Sequence, residues 1–322
     1  MNQKIVMKQS QPHVRLRLWF YRLSVWAFAL VILFALIFQA DWRSTFDRLA
    51  DVNIAIILTC AVGWLSSFIF RALRFQSEWK HTAAIPFFNA LKLTLLHNAA
   101  VLVTPLRAGE MGYPVLVRRL IPVSWQQSVR SLLWLRFQDG VVLLCFAWLL
   151  LPKFQIEFRI SGLLALFFLL WFFKKQWIRV LRSRNFIVSQ LRTFLHQRSD
   201  GWGWFWSTSN WAVKITVVSI MLTTLTGILP LTAIKGALAG ELSALLPITG
   251  PAGLGTYEAG VWAGTALPWT EMKALMSGVL ITHLFFLLIS LVASFIALLA
   301  GGMKRQVFPI HQSLENDAAI SN

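Results

Sequence analysis

Pro247-Ile-Thr-Gly-Pro-Ala-Gly-Leu-Gly-Thr-Tyr-Glu258 interrupts an otherwise apolar run, and Thr104-Pro-Leu-Arg-Ala-Gly-Glu110 does the same in the first half of the chain. Proline removes a backbone donor and glycine frees φ, so neither stretch continues a helix. Each also carries a carboxylate. In a bilayer, broken backbone and ionisable side chains persist only where protein or a water-filled cavity surrounds them, so these two stretches decide both fold and function. One lies in each half, the pattern of a transporter built from two related halves.

The surrounding chain of 322 residues is 57% apolar and 13% charged, with a mean hydropathy of +0.63. That excludes an ordinary soluble domain. The expected fold class is all-α: a polytopic membrane helix bundle with two broken or re-entrant segments, arranged as inverted repeats. Thirty Lys and Arg against 13 Asp and Glu give a net charge of +17. The basic residues cluster between hydrophobic segments, which the positive-inside rule explains, so no nucleic acid partner is expected; anionic lipid head groups suit such loops better. Cys60 and Cys145 sit inside apolar segments without metal-like spacing and read as core thiols.

Spans are expected at residues 19–38, 53–70, 131–151, 160–173, 211–229 and 274–300. Residues 1–18 form a basic cytoplasmic head, 19–303 the membrane domain, and 304–322 a polar cytoplasmic tail without apolar periodicity, expected to be disordered. The first span reads as a retained helix, because Phe38-Gln-Ala40 lacks the small residue a signal-peptide cleavage site needs. The loop at 174–199 interleaves Trp177, Ile178, Leu181, Phe186 and Leu191 with basic residues, which suits either an amphipathic helix on the membrane or an ordinary positive loop. Sixteen tryptophans, several near span ends, fit interfacial belts.

Charge orients the chain. Lys4, Lys8, Arg15, Arg17 and Arg22 place the amino terminus in the cytoplasm, and Lys304 and Arg305 close the last span there. Arg71 and Arg74 read as cytoplasmic anchors after the second span. Six crossings satisfy every sign if residues 86–119 enter and leave from the cytoplasm and 233–268 from outside; eight crossings with both segments spanning satisfy the same signs.

Candidate chemistry concentrates at ionisable groups of membrane depth. Arg107 and Glu110 are three positions apart and bracket one cavity, the guanidinium suited to phosphate and the carboxylate to a basic group or proton; a structural ion pair is the plainer reading. Arg136 and Asp139 repeat that spacing, either pairing within the helix or reaching partners across the bundle. Asn98 and Lys92 intrude on the first broken segment. Gly253 and Gly255 permit close approach of a head group, and Glu258 reads as a substrate contact or a cap in the first turn of a half-helix. Glu241 is a weaker case of the same kind. His283 is a candidate proton carrier or a hydrogen-bonded packing histidine. No Walker loop, zinc spacing or nucleophile elbow occurs, so no catalytic residue, metal, cofactor or ATP-driven pumping is expected.

Taken in order, Arg71-Ala-Leu-Arg74, Asn98 followed by Pro105-Leu-Arg-Ala-Gly-Glu110, Arg136 with Asp139, and Leu246-Pro-Ile through Gly253-Leu-Gly255 to Glu258 resemble the lysylphosphatidylglycerol synthase transmembrane family, a flippase-like membrane domain. The chain departs from the family's usual pattern at Leu135, where an acidic residue is usual, at Gly250-Pro-Ala-Gly253 in place of Ser-Pro-Gly-Gly, and at His283 in place of arginine. The resemblance implies the translocating half without the aminoacyl transferase domain. It implies a bacterial inner-membrane lipid flippase or flippase-like transporter, with phospholipid or polyprenyl-phosphate lipid as its partner and no enzymatic activity. Two rivals stay open: a membrane enzyme that modifies or glycosylates a lipid carrier, and a non-transporting partner of a separately encoded lipid-modifying enzyme.

Overall fold

A computed structural model describes residues 42–150, 154–172, 201–245 and 250–300. The described residues form α-helices joined by short 3-10 turns and contain no strand: α1 Trp42–Ala50, α2 Ile54–Trp79, α3 Phe87–Val103, α4 Gly112–Leu120, α5 Trp125–Leu149, α6 Ile156–Phe172, α7 Gly201–Thr226, α8 Pro230–Ser243, α9 Thr256–Thr265 and α10 Met272–Leu299. This is the all-α membrane bundle expected from composition. The span at 19–38, the head, the loop at 174–199 and the tail lie outside the described residues.

Among the described residues, three helices are long and apolar enough to cross a bilayer: Ile54–Trp79, Trp125–Leu149 and Leu275–Leu299. Their starts are written locally. Asn53 caps α2 by accepting from the Ala55 amide at 2.8 Å. Ser124 and Gln127 exchange side-chain and backbone hydrogen bonds in a capping box before α5. Outward faces are apolar: Ile54, Leu58, Val62, Leu65 and Ile69 form an exposed stripe on α2, while Cys60, Ser67, Phe68 and Arg74 on the same helix are buried. A greasy exterior around a more polar interior is the arrangement lipid demands. α7 matches the three in length, with Asn210 and Lys214 on its inner half.

The second helix corrects an expectation. α2 runs nine residues past Phe70 without a break, so Arg71 and Arg74 are helix residues facing inward and not anchors beyond a span. The charges are carried because partners from other helices meet them, as described below.

Both broken segments are hairpins of short helices. α4, α8 and α9 have 9, 14 and 10 residues, so at 1.5 Å per residue none exceeds about 21 Å, well short of the ~30 Å apolar thickness of a bilayer, while α3, the other arm of the first hairpin, has 17 residues and reaches about 26 Å. In the first hairpin, the backbone of Gly109 lies against Ala100, Gly112 against the Ala100 methyl, and Tyr113 against His97 at 5.5 Å between rings. In the second, α8 and α9 close through glycine. A Cβ on Gly236 or Gly240 would strike Thr265, Val261 or Tyr257, and one on Gly260 or Gly264 would strike Ser243, Ala239 or the Lys235 carbonyl. Two glycine pairs at four-residue spacing therefore let the backbones approach as small-residue interfaces do in membranes.

The tip of the first hairpin, the 3-10 turn Pro105–Met111, meets the tip of the second, Pro251–Gly253. Two apolar clusters flank this junction. Along α5 the order is Leu132 in one cluster, then Arg136, Gln138 and Asp139, then Val142 and Leu143 in the other. The polar layer thus lies between two packed cores, in the middle of the helix.

Candidate functional site

The hairpin tips and the inner faces of α2, α5, α7 and α10 enclose a cavity of about 180 Å³. Its polar wall includes Arg71, Asn98, Arg136, Asp139, Asn210, Lys214, Glu241 and His283, with Trp64, Trp211 and Tyr257 among the aromatic residues. These residues come from positions 64 to 283 of the sequence, so only the tertiary fold gathers them.

Asp139 is the hub. Its Oδ1 accepts from Arg74 Nη1 at 2.6 Å, from Trp211 Nε1 at 2.8 Å and from Ser207 Oγ at 3.2 Å, and its Oδ2 faces Arg136 Nη1 at 3.3 Å. Arg74 also donates to Gln138 Oε1 at 3.1 Å and to the Leu135 carbonyl. Arg136 donates through Nε and Nη2 to Glu110 Oε2, at 3.0 and 2.7 Å. His97 Nε2 lies 3.6 Å from the same carboxylate oxygen. Two arginines are thereby balanced by two carboxylates, and the first hairpin is latched to α5 by Arg136 and Glu110.

Arg71 is different. Its Nη1 donates to Asn98 Oδ1 at 3.2 Å, and among the described residues no carboxylate reaches it within ion-pairing distance. Asn98 Nδ2 and Asn210 Oδ1, on residues of the same wall, are buried without a partner. Buried polar atoms of this kind are uncommon and normally meet a protein, water or ligand partner.

Across the cavity, Lys214 Nζ sits 3.0 Å from Glu241 Oε1, 4.6 Å from the centre of the Trp64 ring and 4.7 Å from that of Trp211. Trp64 is itself fixed, donating to Ser290 Oγ at 2.8 Å and stacking on Phe286 at 4.3 Å. The ammonium is held in a cage of one carboxylate and two indoles.

His283 pins the second hairpin tip. Its Nδ1 is 2.6 Å from Glu258 Oε1 and its Nε2 3.1 Å from the Ala252 carbonyl, while Glu258 Oε2 accepts from the Gly255 amide at 2.7 Å. A carbonyl only accepts, so Nε2 carries a hydrogen. The 2.6 Å contact to the carboxylate needs a second, and the pair is neutral whichever side that hydrogen sits on. The turn it holds is strained: Ala252 adopts φ 55°, followed by Gly253 at 83° and Gly255 at 85°.

Of the residues singled out from sequence, Asn98, Arg136, Asp139, Gly253 and His283 lie on the cavity wall. Glu110 stands one contact behind Arg136. Glu258 is fully buried behind His283, in the first turn of α9 with its carboxylate on the amide of Gly255, which also lies in that buried turn. The backbone of Arg107 runs through the first 3-10 turn, and its side chain lies outside the described residues. Lys92 Nζ is buried without a partner on α3 and is absent from the described cavity wall. Arg71 and Lys214 were missed as cavity residues. The signal for Lys214 was present: a lone cation in the middle of an apolar span requires a partner.

A family model described as "Lysylphosphatidylglycerol synthase TM region" matches residues 23–294, which include both hairpins and the whole cavity wall. No curated protein matches the chain.

Proposed function

The chain belongs to the lysylphosphatidylglycerol synthase TM-region family, and from that premise we propose that this membrane protein is a flippase-like transporter that moves an anionic or polyprenyl-linked lipid between leaflets. The observation that supports the reading best is the meeting of two hairpin tips beside a charged cavity in the middle of the bundle. Half-helices that end at such a site are how carriers place irregular backbone next to a polar substrate. The lipid head group would enter the cavity while its acyl chains stay against the apolar outer faces. Arg107 would meet the head group at the first tip, and Gly253 would let it approach the second. Rocking of the first hairpin requires Arg136 and Glu110 to part, so that pair serves as the gate.

On this reading the protein resides in a bacterial inner membrane with both termini in the cytoplasm, the first hairpin entering from inside and the second from outside. It is a transporter and not an enzyme, and a separately encoded lipid-modifying enzyme would supply its cargo. The test is movement of phosphatidylglycerol and of a polyprenyl phosphate in proteoliposomes, by the wild type and by an Arg136→Gln variant shown to be folded. Movement by the wild type that the variant loses is the expected result. No movement of either lipid by inserted, folded protein overturns the reading, and turnover of a labelled donor would replace it with an enzyme.

A further inference from the structure

Building on the transporter reading, we infer that Lys214, caged by Glu241, Trp64 and Trp211, permanently fills the cavity's ammonium subsite, so the cavity takes an anionic phosphate head group that carries no ammonium of its own. A carboxylate with two indole faces around one nitrogen is what a protein builds to recognise an alkylammonium, as choline and methyl-lysine sites illustrate. Here the guest is covalently attached. Tethering gives Lys214 a high effective concentration at the cage, against which a free lipid ammonium competes poorly.

The charge balance of the wall points the same way. Among the described side chains, Lys214 is matched by Glu241, while Arg74 and Arg136 are matched by Asp139 and Glu110. The Glu258 and His283 pair is neutral by its hydrogen bonds. Arg71 remains as one unmatched positive charge, next to the unpartnered amide nitrogen of Asn98. A phosphate diester brings one negative charge and acceptor oxygens only, which suits a guanidinium and an amide donor. A lysylated or ethanolamine head group would bring, in addition, an ammonium with no carboxylate left to receive it among the described side chains of the wall, and leaving a charge unpaired at this depth is costly.

Selectivity is read with lipids labelled on an acyl chain, so that head groups stay native: phosphatidylglycerol, phosphatidylethanolamine and lysylphosphatidylglycerol. Each is measured for the shift it gives the melting temperature of the detergent-solubilised protein and for movement in proteoliposomes. Phosphatidylglycerol is expected to bind about tenfold or more tighter than either ammonium lipid, equivalent to about 1.4 kcal/mol. Arg71→Gln should abolish that preference. Lys214→Met, which keeps the stem and empties the cage, should bring the ammonium lipids to within about threefold of phosphatidylglycerol, the cage being worth roughly that in a cation–π site.

Equal binding of phosphatidylglycerol and lysylphosphatidylglycerol by the wild type overturns the inference, as does a Lys214→Met variant that folds and keeps the original preference. A melting shift of the same size with soluble glycerol 3-phosphate overturns a lipid as the source of the phosphate. The binding arm reports on the cavity whether or not lipid crosses. Absence of movement with selective binding would therefore count against transport alone.

Discussion

Arg74 and Asp139 stand 65 residues apart in sequence and 2.6 Å apart in the fold, both buried, and this pair ties α2 to α5 at the level of the cavity. Asp139 is also the acceptor for Trp211 and Ser207 of α7, so three helices share one carboxylate. Its worth is better judged by removing one partner than by counting bonds, because a buried charge left alone is far more costly than a pair removed together.

Arg74→Ala or Asp139→Ala should each destabilise the protein by about 3–5 kcal/mol, the cost of an uncompensated buried charge. The double substitution Arg74→Met with Asp139→Leu should cost much less than the sum of the two. Thermal unfolding in detergent, followed by size exclusion, checks this; strictly additive losses would show that the two side chains do not depend on each other.

The glycine contacts between α8 and α9 make a directional claim. Gly240→Ala and Gly264→Ala should each lower stability by about 1–3 kcal/mol through overpacking. Gly140 on α5 has open space where a Cβ would lie. Gly140→Ala should instead be neutral or stabilising by up to about 1 kcal/mol, as expected for a helix interior. A melting series on the three variants decides it, and equal behaviour of all three would sink the close-packed hairpin.

Ala252→Gly should stabilise the protein by about 1–2 kcal/mol, since the left-handed backbone there penalises a Cβ and not a glycine. An unchanged or lower melting temperature would mean that the turn relaxes out of the left-handed region.

Glu258→Gln keeps an oxygen for the Gly255 amide, whereas Glu258→Leu leaves that amide and the Nδ1 of His283 without it. The leucine variant should be the less stable by about 1–3 kcal/mol, the cost of an unsatisfied buried group. Chemical denaturation of the two variants side by side is the measurement, and equal stability would remove Glu258 from the support of the second tip.

On the re-entrant reading, the two ends of each hairpin lie on one side of the membrane. Ala84 and Pro122 flank the first hairpin, Leu229 and Pro268 flank the second, and all four are exposed. Cysteines at 84 and 122 should react with an impermeant maleimide from one face of the membrane, and those at 229 and 268 from the other. Reaction of the two ends of one hairpin from opposite faces would convert it to a pair of crossings.

Much of this architecture was legible in the sequence, because glycine and proline announce themselves wherever they interrupt an apolar run. The breakers at 104–110 and 247–255 predicted two interrupted segments, and both are hairpins whose tips touch. The glycines at 236, 240, 260 and 264 were equally visible at four-residue spacing, a signal for close helix packing that went unread. Arg71 and Arg74 were misplaced for a physical reason: hydropathy ends a span at its first charge, yet a charge stays inside a helix when a partner meets it, and Asp139 and Asn98 lie far along the chain. Pairing of Lys214 with Glu241 was out of reach in the same way. Local pattern names the residues that need partners, and only the packing of helices says which partners they find.

The turn Pro105–Met111 meets Pro251–Gly253, so the two broken segments abut through their tips. With water reaching each tip, most of the transmembrane voltage would fall across that junction. One elementary charge passing it would then feel nearly the whole ~2.3 kcal/mol per 100 mV in a single step. On the transporter reading, an anionic head group would thus be driven toward the positive side of the membrane by the resting potential, which would give its movement a direction.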